Sequence, residues 1–108
     1  AGRVIFVSSG VTENPYRAYW GAYTVSKSAL EAMAMTYAAE MEKTNMRVNI
    51  VDPGRIRTRM RAAAYPGEDP MTLPAPEEIT DIFLGLSDPA MDIHAQRFLA
   101  TEHMKKAA

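Results

Sequence analysis

Four consecutive apolar side chains, Val4-Ile5-Phe6-Val7, follow Arg3 and run into Ser8-Ser9. A strand with one wet face alternates apolar and polar residues. An unbroken run therefore predicts a strand buried on both faces, as in a parallel sheet covered by helices. A parallel neighbour requires a long crossover, and the next segment supplies one. After a polar loop from Ser9 to Tyr19, with Gly10, Asn14 and Pro15, the chain from about Trp20 to Lys43 reads as one long helix. Ala, Leu, Met and Glu dominate it, and no Pro or Gly follows Gly21. Leu30, Met33, Tyr37 and Met41 form one apolar stripe. Val25, Ala29, Ala32 and Ala39 form a second, so two sides of the helix call for cover. Arg47 to Val51 predicts the second strand, ended by Asp52-Pro53-Gly54. Strand, helix and strand make a βαβ unit, for which a right-handed crossover is expected.

Residues 53–75 are rich in Pro, Gly and Arg and read as a long excursion, the kind that often serves as a lid or binding loop. Pro76 opens a short helix with Glu77 and Glu78 in its first turn, where negative charge suits the helix dipole. Ile79, Ile82, Phe83 and Leu86 form its apolar stripe, and Asp88-Pro89 ends it. Residues 96–100 predict a last short strand, with a frayed tail to Ala108. Two or three parallel strands with two helices cannot cover both faces of a sheet, and the first strand needs a neighbour on its other side. Layer geometry therefore predicts part of a larger α/β domain rather than a self-sufficient one.

Composition narrows the function classes. A net charge of -1 gives no bulk attraction to nucleic acid or to an anionic membrane. The absence of cysteine excludes disulfides, thiolate metal sites and cysteine nucleophiles, and fits a reducing, cytoplasmic setting. The longest mostly apolar stretch, Ala29 to Ala39, is interrupted by Glu31 and is too short to span a bilayer. The first residues have too few apolar positions for a signal peptide. His94 and His103 have no partner at metal-ligand spacing, so no metal site and no role is expected for either.

Tyr23 and Lys27 lie four apart on the predicted helix and project from one face. An ammonium beside a phenol favours the phenolate, and a phenol so tuned can pass a proton near neutral pH. Alone the spacing is weak, since the chain has five tyrosines. Its context is stronger. Ser8-Ser9 and Pro53-Gly54 both end predicted strands, and Tyr23 begins the intervening helix. In a parallel sheet, ligands bind outside the carboxyl ends of the strands, so these features converge on one edge. A hydroxyl there can hydrogen-bond a carbonyl oxygen as negative charge grows on it.

Three segments, Gly2-Arg-Val-Ile-Phe-Val-Ser-Ser9, Tyr23-Thr-Val-Ser-Lys-Ser-Ala-Leu-Glu31 and Arg47-Val-Asn-Ile-Val-Asp-Pro-Gly54 with Thr58, resemble the short-chain dehydrogenase/reductase family. The resemblance covers about residues 2–60 and, more loosely, the helix at 76–87. It implies the C-terminal part of a Rossmann-like doubly wound parallel sheet without its N-terminal half. It also implies an oxidoreductase that uses NAD or NADP to interconvert a small carbonyl compound and an alcohol. In that scheme Ser9 orients the carbonyl, Tyr23 passes the proton, and Lys27 holds the nicotinamide ribose. Pro53, Gly54, Ile56 and Thr58 line the nicotinamide carboxamide. The family commonly forms homo-oligomers through the second side of the long helix. A neighbouring helix from the missing half would satisfy the same pattern.

Several features depart from the family. Ser9 precedes Tyr23 by fourteen positions, one more than usual, so Ser9 is preferred and Ser8 stays open. The glycine-rich phosphate turn, the residue that selects NAD or NADP, and the Asn-Ala-Gly segment are all absent; they are expected upstream, which makes the isolated chain inactive. The glycine pair after the last strand has no counterpart at Phe98-Leu99-Ala100-Thr101. A non-catalytic nucleotide-binding or scaffolding relative, and an unrelated βαβ fragment with an accidental Tyr-Lys pair, are the competing readings. Arg55, Arg57, Arg59 and Arg61 alternate; extended, they would share a face for an anionic substrate, and helical, they would solvate a loop, the reading preferred here. Trp20, Met60 and Met71 are candidate walls of a substrate pocket.

Overall fold

The computed structural model describes residues 2–104. Its three strands, β1 (Arg3–Val7), β2 (Arg47–Asp52) and β3 (Arg97–Leu99), form one parallel sheet in the order β1-β2-β3. Val7 lies opposite Val51, and Asp52 opposite Leu99, so the three carboxyl ends share one edge. The middle strand is buried from Val48 to Asp52. The apolar run of β1 is only half covered, and Val7 is 45% exposed. Among the described residues no strand pairs with the outer side of β1.

A helix covers each face. Side chains alternate along β2, so Ile50 and Val51 point to opposite faces. On the Val51 face, α3 (Thr80–Ser87) and the 3-10 turn before it (Pro76–Ile79) bring Ile79 and Leu86 against Val51 and Ala100, with Ile5, Ile82, Phe83 and Phe98 packed around them. Burial of each large aliphatic side chain contributes about 1.5–3 kcal/mol. The stripe predicted for this helix is the one that packs.

The opposite face is covered by α1 (Gly21–Glu40); Leu30, Tyr37 and Met41 of the first predicted stripe are half-buried, but the fully buried positions lie beside that stripe. Thr24, Ala34 and Ala38 are buried, and with Lys27 and Glu31 they follow the three-and-four spacing of one helix face. Small side chains let the helix approach the sheet closely. Val25 and Met33 stand 68% and 54% exposed, and the alanines of the second predicted stripe are exposed too.

The excursion at 53–75 is more ordered than expected. It contains α2 (Arg59–Ala64), capped by Thr58, whose hydroxyl accepts the Arg61 N–H at 3.1 Å. Its arginines neither share one face nor all solvate. Arg57 donates to the carbonyls of Pro70 and Leu73 at 3.1 and 3.2 Å. Arg61 makes a two-point pair with Glu68 at 2.9 Å each and lies 3.8 Å from the Tyr65 ring centre. Arg55 and Arg59 are exposed, as the solvation reading expects.

His94 also corrects its expectation. Its Nδ1 accepts the Val48 N–H at 3.0 Å and its Nε2 meets the Ala38 carbonyl at 2.8 Å, so the ring ties β2 to the end of α1. Asn49 assists by accepting from Gln96 N–H and donating to the Ile93 carbonyl. The predicted last strand is present as β3. Ala100–His103 forms a 3-10 turn rather than a frayed tail, and residues 105–108 lie outside the described residues.

Candidate active site

Where β1 ends, the two serines part ways. The Ser8 N–H donates to the Val51 carbonyl at 2.8 Å, which draws the residue into the sheet. Ser8 is 3% exposed, and its hydroxyl donates to Oε2 of Glu31. Ser9 caps the 3-10 turn Gly10–Thr12 from an extended conformation; its Oγ accepts the Val11 N–H at 3.3 Å, which leaves its own proton free to donate.

Tyr23 and Lys27 sit half-buried on consecutive turns of α1. Lys27 Nζ donates to the Val7 carbonyl at 3.3 Å and lies 5.9 Å from the Tyr23 ring centre. One donated bond leaves two ammonium hydrogens available. Trp20 meets the Tyr23 ring edge-on at 5.9 Å.

At the end of β2, Oδ1 of the buried Asp52 accepts the Gly54 N–H at 2.9 Å and folds the chain back. Gly54 has φ +78, a conformation that side chains rarely adopt. A Cβ there would lie 2.8 Å from Thr101 Cγ2.

These elements open on one cleft of about 1080 Å³. Ser9, Tyr23, Lys27, Pro53, Gly54, Ile56 and Thr58 all line it, and Ser8 reaches its floor. Trp20 and Met60 line it as well; Met71 does not and is 71% exposed. The excursion supplies the facing wall. Tyr65 lies 6.1 Å from Trp20, and the Arg17 guanidinium sits 4.3 Å from the Trp20 ring centre. Lys27, Thr58 and the turn at 53–56 offer hydrogen-bonding groups to the cleft of the kind that could hold a ribose diol and a carboxamide. No Gly-x-Gly-x-x-Gly occurs in residues 1–108 to cradle the phosphates of a dinucleotide.

Glu31 and Arg97 were not singled out from sequence. Arg97 Nε donates to Glu31 Oε1 at 3.0 Å. Burial pushes the Glu31 carboxyl up, but hydrogen bonds from Ser8, Thr12 and Arg97, with the Arg97 charge, outweigh it and hold the carboxyl below the usual carboxylate range. Burial likewise opposes the charge on Arg97, and Glu31, Asp52 and Glu13 more than offset it. An acid interrupting an apolar helix, with an arginine in a predicted strand, was the available signal. Tyr65 had none, because only the folding of the excursion brings it to the cleft.

The family model for short chain dehydrogenase matches residues 1–69. The chain belongs to the short-chain dehydrogenase family. It is 45% identical over 86 residues to the uncharacterized oxidoreductase YciK of Escherichia coli K12, covering 80% of this chain and 33% of that protein. It is 36% identical over 84 residues to a Saccharomyces cerevisiae benzil reductase ((S)-benzoin forming), covering 76% of this chain and 32% of the relative. Among solved structures, a short chain dehydrogenase of Escherichia coli CFT073 complexed with NADPH superposes with a TM-score of 0.84 at 41% identity, covering 92% of this chain and 41% of that one. The chain thus spans about a third of the length of the curated relatives it matches, and its three-stranded sheet is part of the family's Rossmann fold.

Proposed function

We propose that this chain carries the proton-transfer half of an NAD(P)-dependent oxidoreductase that interconverts a small carbonyl compound and an alcohol. The convergence of Ser9, Tyr23, Lys27 and the Pro53–Thr58 segment on one cleft at the strand ends carries this reading. A nicotinamide held in this cleft would supply or accept the hydride. In the reductive direction the Ser9 hydroxyl donates a hydrogen bond to the carbonyl oxygen and fixes its position. Tyr23 Oη then delivers the proton to that oxygen as the C–O π bond opens, giving the alcohol, and Lys27 stabilises the tyrosinate that remains. Lys27 would also hold the nicotinamide ribose, and Pro53, Gly54, Ile56 and Thr58 would line the carboxamide side. Ser9 is the orienting residue rather than Ser8, because the Ser8 proton is already given to Glu31.

The cofactor choice is supported by the NADPH complex of the similar E. coli protein, and a carbonyl substrate by the benzil reductase relative. The excursion at 53–75 acts as a lid over the substrate. The outer side of α1 with Val25 and Met33 serves as the contact of a homo-oligomer in the full-length protein. Among the described residues no helix is long and apolar enough to cross a membrane, and we place the enzyme in the cytoplasm. Residues 1–108 alone are inactive in this account, because the phosphate-binding turn comes from elsewhere in the complete protein.

The test is a titration of NADPH and NADH into the full-length protein and into residues 1–108, with turnover measured on a panel of ketones and aldehydes. Cofactor binding and turnover by the full-length protein, with neither in the short chain, is expected. Micromolar cofactor affinity in the short chain alone would overturn the half-site account.

A further inference from the structure

Ser9 and Gly54 approach the cleft from different strands, yet both are tied to one side chain on a third. Arg97 opposes Ile50 in the sheet and so faces α1. Its Nη2 donates to the Ser9 carbonyl at 3.1 Å, to Thr12 Oγ1 at 3.2 Å and to Asp52 Oδ2 at 3.4 Å. Its Nη1 donates to Glu13 Oε1 at 2.9 Å, and its Nε to Glu31. The acceptors pass the constraint on. Asp52 holds the Gly54 N–H with its other oxygen, and Glu31 holds the Ser8 hydroxyl with its own. One cation therefore stands among three carboxylates, from the serine loop, α1 and β2.

A guanidinium is planar and its five hydrogens point in fixed directions, so it sets the relative positions of its acceptors. The pairs are partly removed from water: the Arg97, Glu31 and Asp52 side chains are 25%, 18% and 4% exposed. Such pairs are screened less than surface pairs.

We infer that Arg97 is a positioning residue: it fixes the Ser9 loop against the Asp52–Gly54 turn, and so sets the spacing between the carbonyl-orienting hydroxyl and the nicotinamide wall. The effect on turnover rests on the function proposed above; the effect on the two loops does not. A merely structural pair would fasten β3 to α1 and leave the spacing of Ser9 and Gly54 unchanged.

The test uses Arg97→Met and Arg97→Lys in the full-length protein. Lysine keeps a charge near Glu31 but lacks the fork, so it serves if the methionine variant fails to fold. Amide hydrogen exchange is read at Val11, Thr12 and Gly54, with Ala34 and Ala38 of α1 as controls. Faster exchange at the first three with the controls unchanged is expected in both variants. The kcat per folded molecule should fall, by up to about 100-fold, as for an ångström-scale displacement. Arg97→Lys should restore thermal stability more fully than kcat. Unchanged or uniformly faster exchange would overturn the inference, and so would an unchanged kcat in an active enzyme. If the unmutated protein turns over no carbonyl with either cofactor, the functional reading fails, and the exchange pattern alone decides the positioning role.

Discussion

Ser8 and Ser9 are adjacent and chemically identical, and hydrogen bonding alone tells them apart. Ser8→Ala removes a donor to Glu31 and should cost about 1–2 kcal/mol of stability while kcat per folded molecule is retained. Ser9→Ala should leave stability nearly unchanged and lower kcat by about 100-fold or more, as expected when a donor to a developing oxyanion is lost. Steady-state kinetics beside urea unfolding separates the two. Gly54→Ala should destabilise by about 1–3 kcal/mol, because it combines a positive φ with a Cβ pressed on Thr101. The sequence led to the expectation of a serine and a glycine at this cleft, and Ser8, Ser9 and Gly54 line it. It could not separate Ser8 from Ser9, because the partner that claims Ser8 lies 23 residues away on α1.

Elements were legible where one face decides their packing. The α3 stripe packs as its periodicity predicts: Ile79, Ile82, Phe83 and Leu86 join the cluster around Val51 and Ala100, while Leu84, off the stripe, stays exposed. On α1 the same reasoning found half-buried positions, Leu30, Tyr37 and Met41, but missed the fully buried face, which is built from alanines and from polar groups whose partners lie on β3 and β1. The excursion was illegible for a related reason. Arg57 and Arg61 look like solvated charges until the chain folds back on Pro70, Leu73 and Glu68. His94 makes the clearest element-scale prediction. His94→Ala leaves the buried Val48 N–H without its acceptor and should lower unfolding stability by about 1–3 kcal/mol, read by urea denaturation, with cofactor affinity unchanged.

Across the whole molecule, layer geometry anticipated the half-covered β1, and the family's fold supplies the reason, since this sheet is one part of it. The charge network beneath the cleft makes stability depend on pH. Glu31 is held below its ordinary value in the folded state, so its contribution is present above about pH 5 and is lost as pH falls below 4.5 toward the depressed value. Glu31→Gln should flatten the fall of the melting temperature across that window; an unchanged slope would remove Glu31 from the account.

The most direct measurement of the central claim is Tyr23→Phe in the full-length protein, with turnover on a reducible carbonyl compound and NADPH affinity measured on the same sample. A loss of about 100-fold or more in kcat with cofactor affinity retained is predicted for a residue that passes the proton. Turnover equal to that of the unmutated enzyme would contradict the assignment and leave the Tyr23–Lys27 pair as packing at the start of a helix.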